Sequence, residues 1–226
     1  MPNIKLVVFD IAGTIIEDRG EVITALGSAL ERTAIPFTVD ELKEWKGASK
    51  LEVIRHFVER GNSGNSLSAN EVERAYKLFL SELEDLYRGH IHPIPGAEAT
   101  FAWCRERGIQ LSTTTGFCPE ISDLVLDGTG WRYLFAANVT SSDVRRGRPA
   151  PFMIFHAMER AGIEDVRQVV NVGDTPLDLQ AGTNAGVRGV VGVLTGSHGE
   201  HRLQREPHTH LLPSIAELPS LIAHAF

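Results

Sequence analysis

The sequence has only two cysteines, no excess of basic residues and no long apolar run near its N-terminus. Cys104 and Cys118 are too few for a disulfide framework or a zinc cluster, so we expect a reducing, cytoplasmic setting. The 226 residues carry 29 acidic and 22 basic side chains, and the net charge of −7 argues against nucleic acid and anionic membranes as partners. The apolar run at 6–9 ends at an aspartate and is too short for a signal peptide or a membrane span. A small anionic ligand is compatible with this composition, because its binding depends on local charge and not on the net charge of the chain.

The rest of the chain alternates short apolar runs with helix-like segments. Apolar residues make up 42% and charged residues 23% of the chain, as in globular proteins that bury a sizeable core. Four apolar runs predict buried strands: residues 4–9, 109–114, 169–172 and 190–194. Proline suits a first helical position and serine a cap, which predicts helix starts near Pro119, Pro151, Pro176 and Ser214. The alternation over 94–226 predicts a doubly wound α/β fold with a parallel sheet.

Residues 17–93 follow a different pattern and contain no convincing buried strand. Apolar residues recur there at three- and four-residue spacing, which predicts helices over 24–34, 39–45 and 72–87. Asn70 is a suitable cap for the last helix, and the segment before it, 61–68, is predicted to form a turn-rich loop. We interpret this part of the chain as a helical cap inserted after the first strand.

The predicted cap divides the chain into two domains. Residues 1–16 and 94–226 would form the α/β core, and residues 17–93 the cap domain. The connections at 17–20 and 90–96 are predicted hinges, because a cap must open and close over its substrate to exclude water.

Four clusters of polar residues fall at predicted loops, three of them directly after a strand. They comprise residues 10–14, 113–116, 147–149 and 173–178. Open α/β folds place their chemistry at the carboxyl ends of their strands. Taken singly, each cluster has a structural explanation as a helix cap, a turn or a solvated loop cation. Their order and placement together favour a functional site.

The chemistry of these residues fits phosphoryl transfer. The carboxylate of Asp10 is ionised at neutral pH and can attack phosphorus. Mg²⁺ held by Asp10 and Asp174 would cancel the repulsion between this carboxylate and an anionic substrate. The Thr115 hydroxyl, the Gly116 amide and the Arg148 guanidinium can each donate to phosphate oxygens.

The first cluster, Asp-Ile-Ala-Gly-Thr, resembles the Asp-x-Asp-Gly-Thr motif of the haloacid dehalogenase (HAD) superfamily, and the other clusters resemble its later motifs. The resemblance implies a Rossmann-like HAD core and identifies Asp10 as the nucleophile. It implies that Mg²⁺ is held by Asp10, Asp174 and the backbone carbonyl of Ala12.

The same resemblance assigns roles around the phosphate and the metal. Thr115 is implied to bind the phosphate, and Arg148 is implied to be the cation before the last motif. Thr14, Thr175 and Asp178 are expected to surround the metal ligands.

Two residues narrow the resemblance to one branch. Most HAD phosphatases have an aspartate general acid where this chain has Ala12, and a lysine where it has Arg148. This combination is similar to the phosphonatase group, whose members hydrolyse the carbon–phosphorus bond of phosphonoacetaldehyde. A carbon leaving group needs no proton on an ester oxygen, which would explain why alanine is tolerated.

The phosphonatase group uses a cap lysine that forms a Schiff base with the substrate carbonyl. The stretch 46–55 resembles its cap motif, and Lys50 takes the place of the lysine. Ser49 and Glu52 have the spacing of a capping box, so Lys50 is predicted on the first turn of a helix. A helix N-terminus and the nearby Lys46 disfavour the charged form of its amine. The alternative interpretation is that Lys50 is a solvated surface lysine.

The chain departs from the phosphonoacetaldehyde enzymes at four positions. Lys46 stands where they have methionine, Val53 where they have histidine, Gly20 where they have cysteine and Phe117 where they have tyrosine. Lys46 and Phe117, together with Gly116, are predicted to contact the substrate. The later stretches 147–151, 191–196 and 207–210 are more similar to a sister branch, the phosphonatase-like hydrolases.

The resulting prediction is a Mg²⁺-dependent hydrolase that cleaves the C–P bond of a 2-oxoalkylphosphonate through an aspartyl-phosphate and a Lys50 Schiff base. The alternatives are a HAD phosphomonoesterase acting on a small phosphorylated metabolite, and a non-catalytic binding protein. The expected partner is a small phosphonate or phosphate, without nucleic acid or membrane. A homodimer through the cap is a further expectation.

Overall fold

A six-stranded parallel sheet forms the centre of the molecule. The computed structural model describes residues 4–61, 69–196 and 198–226. The strand order is β3-β2-β1-β4-β5-β6, and every neighbouring pair is parallel. The strands are β1 (Leu6–Phe9), β2 (Gln110–Thr115), β3 (Ala137–Thr140), β4 (Val169–Gly173), β5 (Gly189–Val193) and β6 (His210–Leu212). This order is that of a doubly wound sheet, which confirms the predicted fold class.

The four predicted strands are present, with ends displaced by two residues at most, but two strands were missed. Both missed strands, β3 and β6, are short and lie at the two edges of the sheet. Their sequences, Ala-Asn-Val-Thr and His-Leu-Leu, are too short and too mixed to form an apolar run, and only β6 is mostly half-buried.

Ten α-helices connect and flank the strands within the described residues. Four of them lie between β1 and the rest of the sheet: α1 (Glu21–Arg32), α2 (Val39–Glu44), α3 (Lys50–Gly61) and α4 (Ala69–Tyr87). The other six follow: α5 (Ala97–Glu106), α6 (Pro119–Gly128), α7 (Phe152–Ala161), α8 (Pro176–Ala185), α9 (Glu200–Leu203) and α10 (Leu218–Ala225).

The predicted helix ends match the structure in part: α1 and α4 each begin three residues before the predicted start, whereas α2 begins at 39 and α4 ends at 87, as predicted. Pro119 and Pro176 are the first residues of α6 and α8, as predicted. Pro151 was wrongly placed as a first helical residue, because it is the N-cap and α7 begins one residue later. Ser214 caps a short 3₁₀ turn that leads into α10. Asn70 does not cap α4, because that helix already begins at Ala69.

The helices α1–α4, here called the helical insert (residues 21–87), pack mainly on one another, with α1 running along α4. The loop predicted at 61–68 lies outside the described residues except for Gly61, which ends α3. The division into a core domain and a cap domain at residues 17 and 93 stays a prediction.

The two connections between the helical insert and the sheet pair with each other. The Glu17 N–H donates to the His92 carbonyl at 2.8 Å, and the Ile94 N–H donates to the Ile15 carbonyl at 2.9 Å. The segments predicted as hinges therefore lie side by side, and any displacement of the insert must involve both.

The core consists of two apolar layers, one on each face of the sheet. Alternate side chains of β1 enter opposite layers: Val7 and Phe9 enter one, and Leu6 and Val8 the other. The first layer continues without a break into the helical insert, where Phe57 is completely buried. The insert is thus anchored on the sheet by apolar packing.

Candidate active site

Three adjacent strands bring the predicted chemistry to one edge of the sheet. Asp10 follows β1, Thr115 ends β2 and Asp174 follows β4, and β1 lies between the other two. Gly13 then reverses the chain with φ near 87°, a left-handed conformation that glycine adopts without strain. The short turn keeps Asp10 at the mouth of the sheet while the chain leaves it.

The side chain of Arg148 holds this edge together. Its Nη1 donates to Asp10 Oδ1 at 2.8 Å and lies 2.8 Å from Asp178 Oδ1. Its Nη2 donates to the carbonyl and the hydroxyl of Thr114 at 2.6 and 2.9 Å. The guanidinium, only 3% exposed, therefore positions the candidate nucleophile. These four contacts engage both terminal nitrogens. The donation from Arg148 to phosphate oxygens stays a prediction.

Three carboxylates crowd together beside Arg148. Asp10, Asp174 and Asp178 are buried and each offers an oxygen within 4.8 Å of the others. Burial raises the pKa of Asp10 to about 6, partly opposed by Arg148. Burial and the charges of Asp10 and Asp178 raise the pKa of Asp174 well above its usual range. A bound divalent cation would reverse this effect, since it stabilises the ionised carboxylates.

The surroundings of Asp174 fit a metal ligand. The Thr14 hydroxyl donates to Asp174 Oδ1 at 3.2 Å, which orients the carboxylate. Gly13 and Gly196 close around Asp174 Oδ2, and a Cβ atom at either position would overlap this oxygen. A Mg²⁺ ion prefers oxygen ligands, and the carboxylates of Asp10 and Asp174 with the nearby carbonyl of Ala12 supply that chemistry.

Asp178 and Thr175 form the start of α8. Thr175 is the N-cap and Asp178 the third helical residue of a capping box, with the Thr175 N–H donating to Asp178 Oδ2 at 3.0 Å. The other oxygen of Asp178 faces Arg148. Asp178 therefore joins the helix cap to the Arg148 network, close to the predicted ligands.

The loop before α3 seats the helical insert on this edge. A Cβ atom on Gly116 would overlap the Ala48 carbonyl, and one on Gly47 would overlap the Thr175 hydroxyl. The Lys50 N–H donates to the Gly116 carbonyl at 3.3 Å. Glycine at these two positions thus allows a close approach between the insert and the sheet edge, backbone to backbone at Gly116 and backbone to side chain at Gly47.

This contact buries Lys50 over the carboxylates. Its side chain is inside, its Nζ donates to the Ala48 carbonyl at 2.8 Å and it lies 6.0 Å from the centre of the Phe117 ring. Lys50 is the first residue of α3, as predicted. Burial lowers the pKa of Lys50 to about 8, against the opposing charge of Asp10. Burial is the largest cause of this lowered pKa, and the positive charge of Lys46 lowers the pKa further. No sequence pattern around Lys50 indicates its burial.

An ion pair that sequence reasoning missed stands beside Lys50. Lys46 Nζ lies 2.7 Å from Asp18 Oδ2, and these side chains are 12% and 6% exposed. Asp18 belongs to a predicted hinge and has no motif that marks it. Only the folded chain brings it to Lys46, 28 positions later.

These residues enclose a cavity of about 40 Å³. Ten of the twelve predicted site residues line it: Asp10, Ala12, Lys46, Lys50, Thr115, Gly116, Phe117, Arg148, Asp174 and Thr175. The other two, Thr14 and Asp178, hold lining residues in place. Asp18, Val22 and Gly47 also line the cavity and were not predicted. His56, which shares α3 with Lys50, does not line the cavity, and its ring lies 4.6 Å from that of Trp45 at a tilt of 38°.

Comparison with known proteins identifies the family of the chain. Residues 7–192 match the haloacid dehalogenase-like hydrolase family. The chain belongs to that family. It is therefore a HAD-superfamily hydrolase, and the Rossmann-like core implied by its motifs is confirmed.

Its relatives include phosphonoacetaldehyde hydrolases. The one from Hahella chejuensis is 32% identical over 219 residues, which cover 92% of this chain and 74% of that protein. The one from Bacteroides fragilis is 32% identical over 99% of this chain and 87% of its own length. A phosphonoacetaldehyde hydrolase like protein from Oleispira antarctica has a TM-score of 0.84 at 24% identity, covering 99% of this chain and 92% of its own.

The described helices of this hydrolase are too short or too polar to span a bilayer. None of those helices combines the length and the apolar character that crossing a membrane requires.

Proposed function

We propose that this hydrolase uses Mg²⁺ and cleaves the C–P bond of a 2-oxoalkylphosphonate similar to phosphonoacetaldehyde. The observation that carries the proposal is the buried amine of Lys50, which lines the same small cavity as Asp10 and has a pKa lowered to about 8. A free amine beside a carboxylate nucleophile suits a substrate that has a carbonyl and a phosphorus two atoms apart. The phosphonoacetaldehyde hydrolases among its relatives support the same substrate class.

The proposed reaction begins at Lys50. Its Nζ adds to the substrate carbonyl, water leaves, and the resulting iminium draws electrons from the neighbouring carbon. An Asp10 oxygen then bonds to phosphorus while the C–P electron pair moves into the iminium and forms an enamine. Water hydrolyses the aspartyl-phosphate and releases phosphate. The enamine takes a proton on the carbon that left phosphorus and becomes an iminium again, and water then hydrolyses it to the carbonyl product and the free Lys50 amine.

Ala12 is consistent with this leaving group. A phosphate ester needs a proton on its departing oxygen, and alanine at position 12 has none to give. The enamine instead takes its electron pair into the iminium. The proposed reaction therefore does not need the acid that phosphatases of the superfamily carry at this position.

The sheet edge would bind the phosphonate group. We assign the Thr115 hydroxyl and the Gly116 N–H to its oxygens, because both residues line the cavity at the end of β2. Asp10, Asp174 and the Ala12 carbonyl would hold Mg²⁺, which would neutralise charge between the carboxylate and the phosphonate. Arg148 would keep Asp10 aligned through its 2.8 Å hydrogen bond.

The test compares phosphonoacetaldehyde with 4-nitrophenyl phosphate, an ester that has no carbonyl. We expect Mg²⁺-dependent phosphate release from the phosphonate, and we expect Lys50→Arg to reduce it by at least about 100-fold, the usual range for loss of a catalytic group. Lys77→Arg, an exposed lysine on α4, is the matched control. Borohydride added with the phosphonate should leave an adduct on Lys50.

The competing function is a phosphomonoesterase. It would release phosphate from the ester at a rate that Lys50→Arg leaves unchanged, and that result would refute the proposal. Association through the helical insert as a homodimer stays a separate prediction, which the molar mass in solution would test.

A further inference from the structure

We propose that the Asp18–Lys46 ion pair donates the proton that imine formation at Lys50 consumes, a role that rests on the function proposed above. Lys46 Nζ lies 2.7 Å from Asp18 Oδ2, with both side chains largely buried. Both line the cavity that contains Lys50. The pair is a proton-carrying group at the reaction site that the phosphorus chemistry leaves unused.

The other titratable side chains of the cavity already have tasks. Two carboxylates of its wall are assigned to phosphorus and the metal, and Lys50 is the nucleophile. Arg148 keeps its protons at any physiological pH. Among the described residues that line the cavity, Asp18 and Lys46 are the remaining acid–base pair.

The pair has little justification as a stabilising contact. Removing two charges from water costs free energy that their mutual attraction often fails to recover, so apolar residues would serve folding equally well. The second oxygen of the Asp18 carboxylate is also held, because Oδ1 accepts the Gly20 N–H at 2.9 Å. A carboxylate held in this way orients the Lys46 ammonium towards the cavity, which favours a role in the reaction.

The proposed step balances its protons. Lys50 Nζ bonds to the carbonyl carbon while the C=O π electrons move to oxygen. One proton from Lys50 and one from the Lys46 ammonium end on that oxygen, which leaves as water. The Lys50 iminium keeps one N–H and carries the positive charge that Lys46 gave up, while Asp18 holds the neutral amine in place.

Lys46 can also recover its proton from solvent through a second cavity. It lines a second, wider cavity of about 460 Å³, together with Lys43 and Glu44 on α2. Those two residues are exposed, so this second cavity reaches solvent. Lys46 therefore lines both the small cavity and a wider one that reaches solvent, the position that a proton relay requires.

The experiment measures the rate of imine formation itself. Enzyme and phosphonoacetaldehyde are mixed, quenched with borohydride after set times, and the Lys50 adduct is quantified by mass spectrometry. The decisive variant is Lys46→Arg, which keeps the charge and an ion pair with Asp18 but does not release a proton. Lys43→Arg is the matched control, because Lys43 is exposed and pairs with Asp40 outside the small cavity.

We expect Lys46→Arg to slow adduct formation by at least about 100-fold, within the range of general acid catalysis. Lys43→Arg should leave the rate within about twofold of the wild type. If circular dichroism shows that Lys46→Arg does not fold, Lys46→Met and Asp18→Asn replace it with the same expected loss.

Two results separate this inference from the function on which it rests. Rapid adduct formation in Lys46→Arg, within about threefold of the wild type, would overturn the role of the ion pair and leave C–P cleavage intact. A wild-type protein that forms no adduct at Lys50 would overturn the proposed function and this inference together.

Discussion

The lowered pKa of Lys50 leads to a measurable titration. Burial shifts the pKa of this amine from 10.5 to about 8. At pH 7.5 about one Lys50 in four would then be a free amine, against about one in 1,000 for an unperturbed lysine, a gain of roughly 200-fold in nucleophile. Because the free amine is the reactive form, imine formation should rise with pH through about 8 and level off above it.

The direct assay is an NMR titration of lysine labelled with ¹³C at Cε. The chain has five lysines, and the Lys50 signal is the one missing from Lys50→Arg. We expect that signal to titrate with a midpoint near pH 8. A midpoint at or above about 10, the range of solvated lysines, would refute the conclusion that burial activates the amine.

The same shift has a consequence for stability, with a defined sign. Between about pH 8 and pH 10.5 the unfolded chain binds a proton at Lys50 that the folded chain has lost, so the free energy of unfolding should rise with pH in this interval. The difference between a pKa of 10.5 and one of about 8 corresponds to about 3 kcal/mol as an order of magnitude. The free energies of unfolding of the wild type and of Lys50→Met, measured with urea, should therefore converge as the pH approaches 10.5.

Three further predictions concern the sheet edge. Arg148→Met leaves two buried carboxylates without their partner, so urea unfolding should show a loss of about 3–5 kcal/mol, and a loss below about 1 kcal/mol would contradict the network. Gly116→Ala places a Cβ atom on the Ala48 carbonyl and should lower kcat/KM for phosphonoacetaldehyde at least about tenfold by the cost of a displaced contact. Gly199→Ala, which meets open space, is its control, and equal activity of the two variants would refute the seating of the insert. Mg²⁺ at about 100 times its Kd should raise the free energy of unfolding by about 2.7 kcal/mol. That gain would raise the Tm by about 5–10 °C for a chain of this size. Asp174→Asn should abolish the rise, and an unchanged rise would exclude Asp174 as a ligand.

Residues of one strand end or one helix start could be read from the sequence. The run that ends at Asp10 predicts a buried strand because a central parallel strand is covered on both faces. The carboxyl ends of such strands meet at one edge, so the positions of Asp10, Thr115 and Asp174 along the chain suffice to group them. Pro176 likewise predicts the start of α8 from local geometry alone.

Other parts of the fold depended on neighbours that no local pattern reveals. The edge strands β3 and β6 acquire their extended conformation by pairing with β2 and β5. Asn70 is a good cap by its chemistry, yet α4 already includes it, since the described helix begins at Ala69. Local preference is weak where tertiary contacts compete with it.

The sequence by itself determined which chemical groups this hydrolase has and in what order the strands present them, because those properties follow from residue type and short-range geometry. Only the tertiary structure decided what each group does with its neighbours. Arg148 holds Asp10, Lys50 is buried where the insert meets the sheet edge, and Lys46 pairs with Asp18. These outcomes depend on burial and on distances between residues far apart in the chain, and such distances decide the charge that an amine or a carboxylate carries.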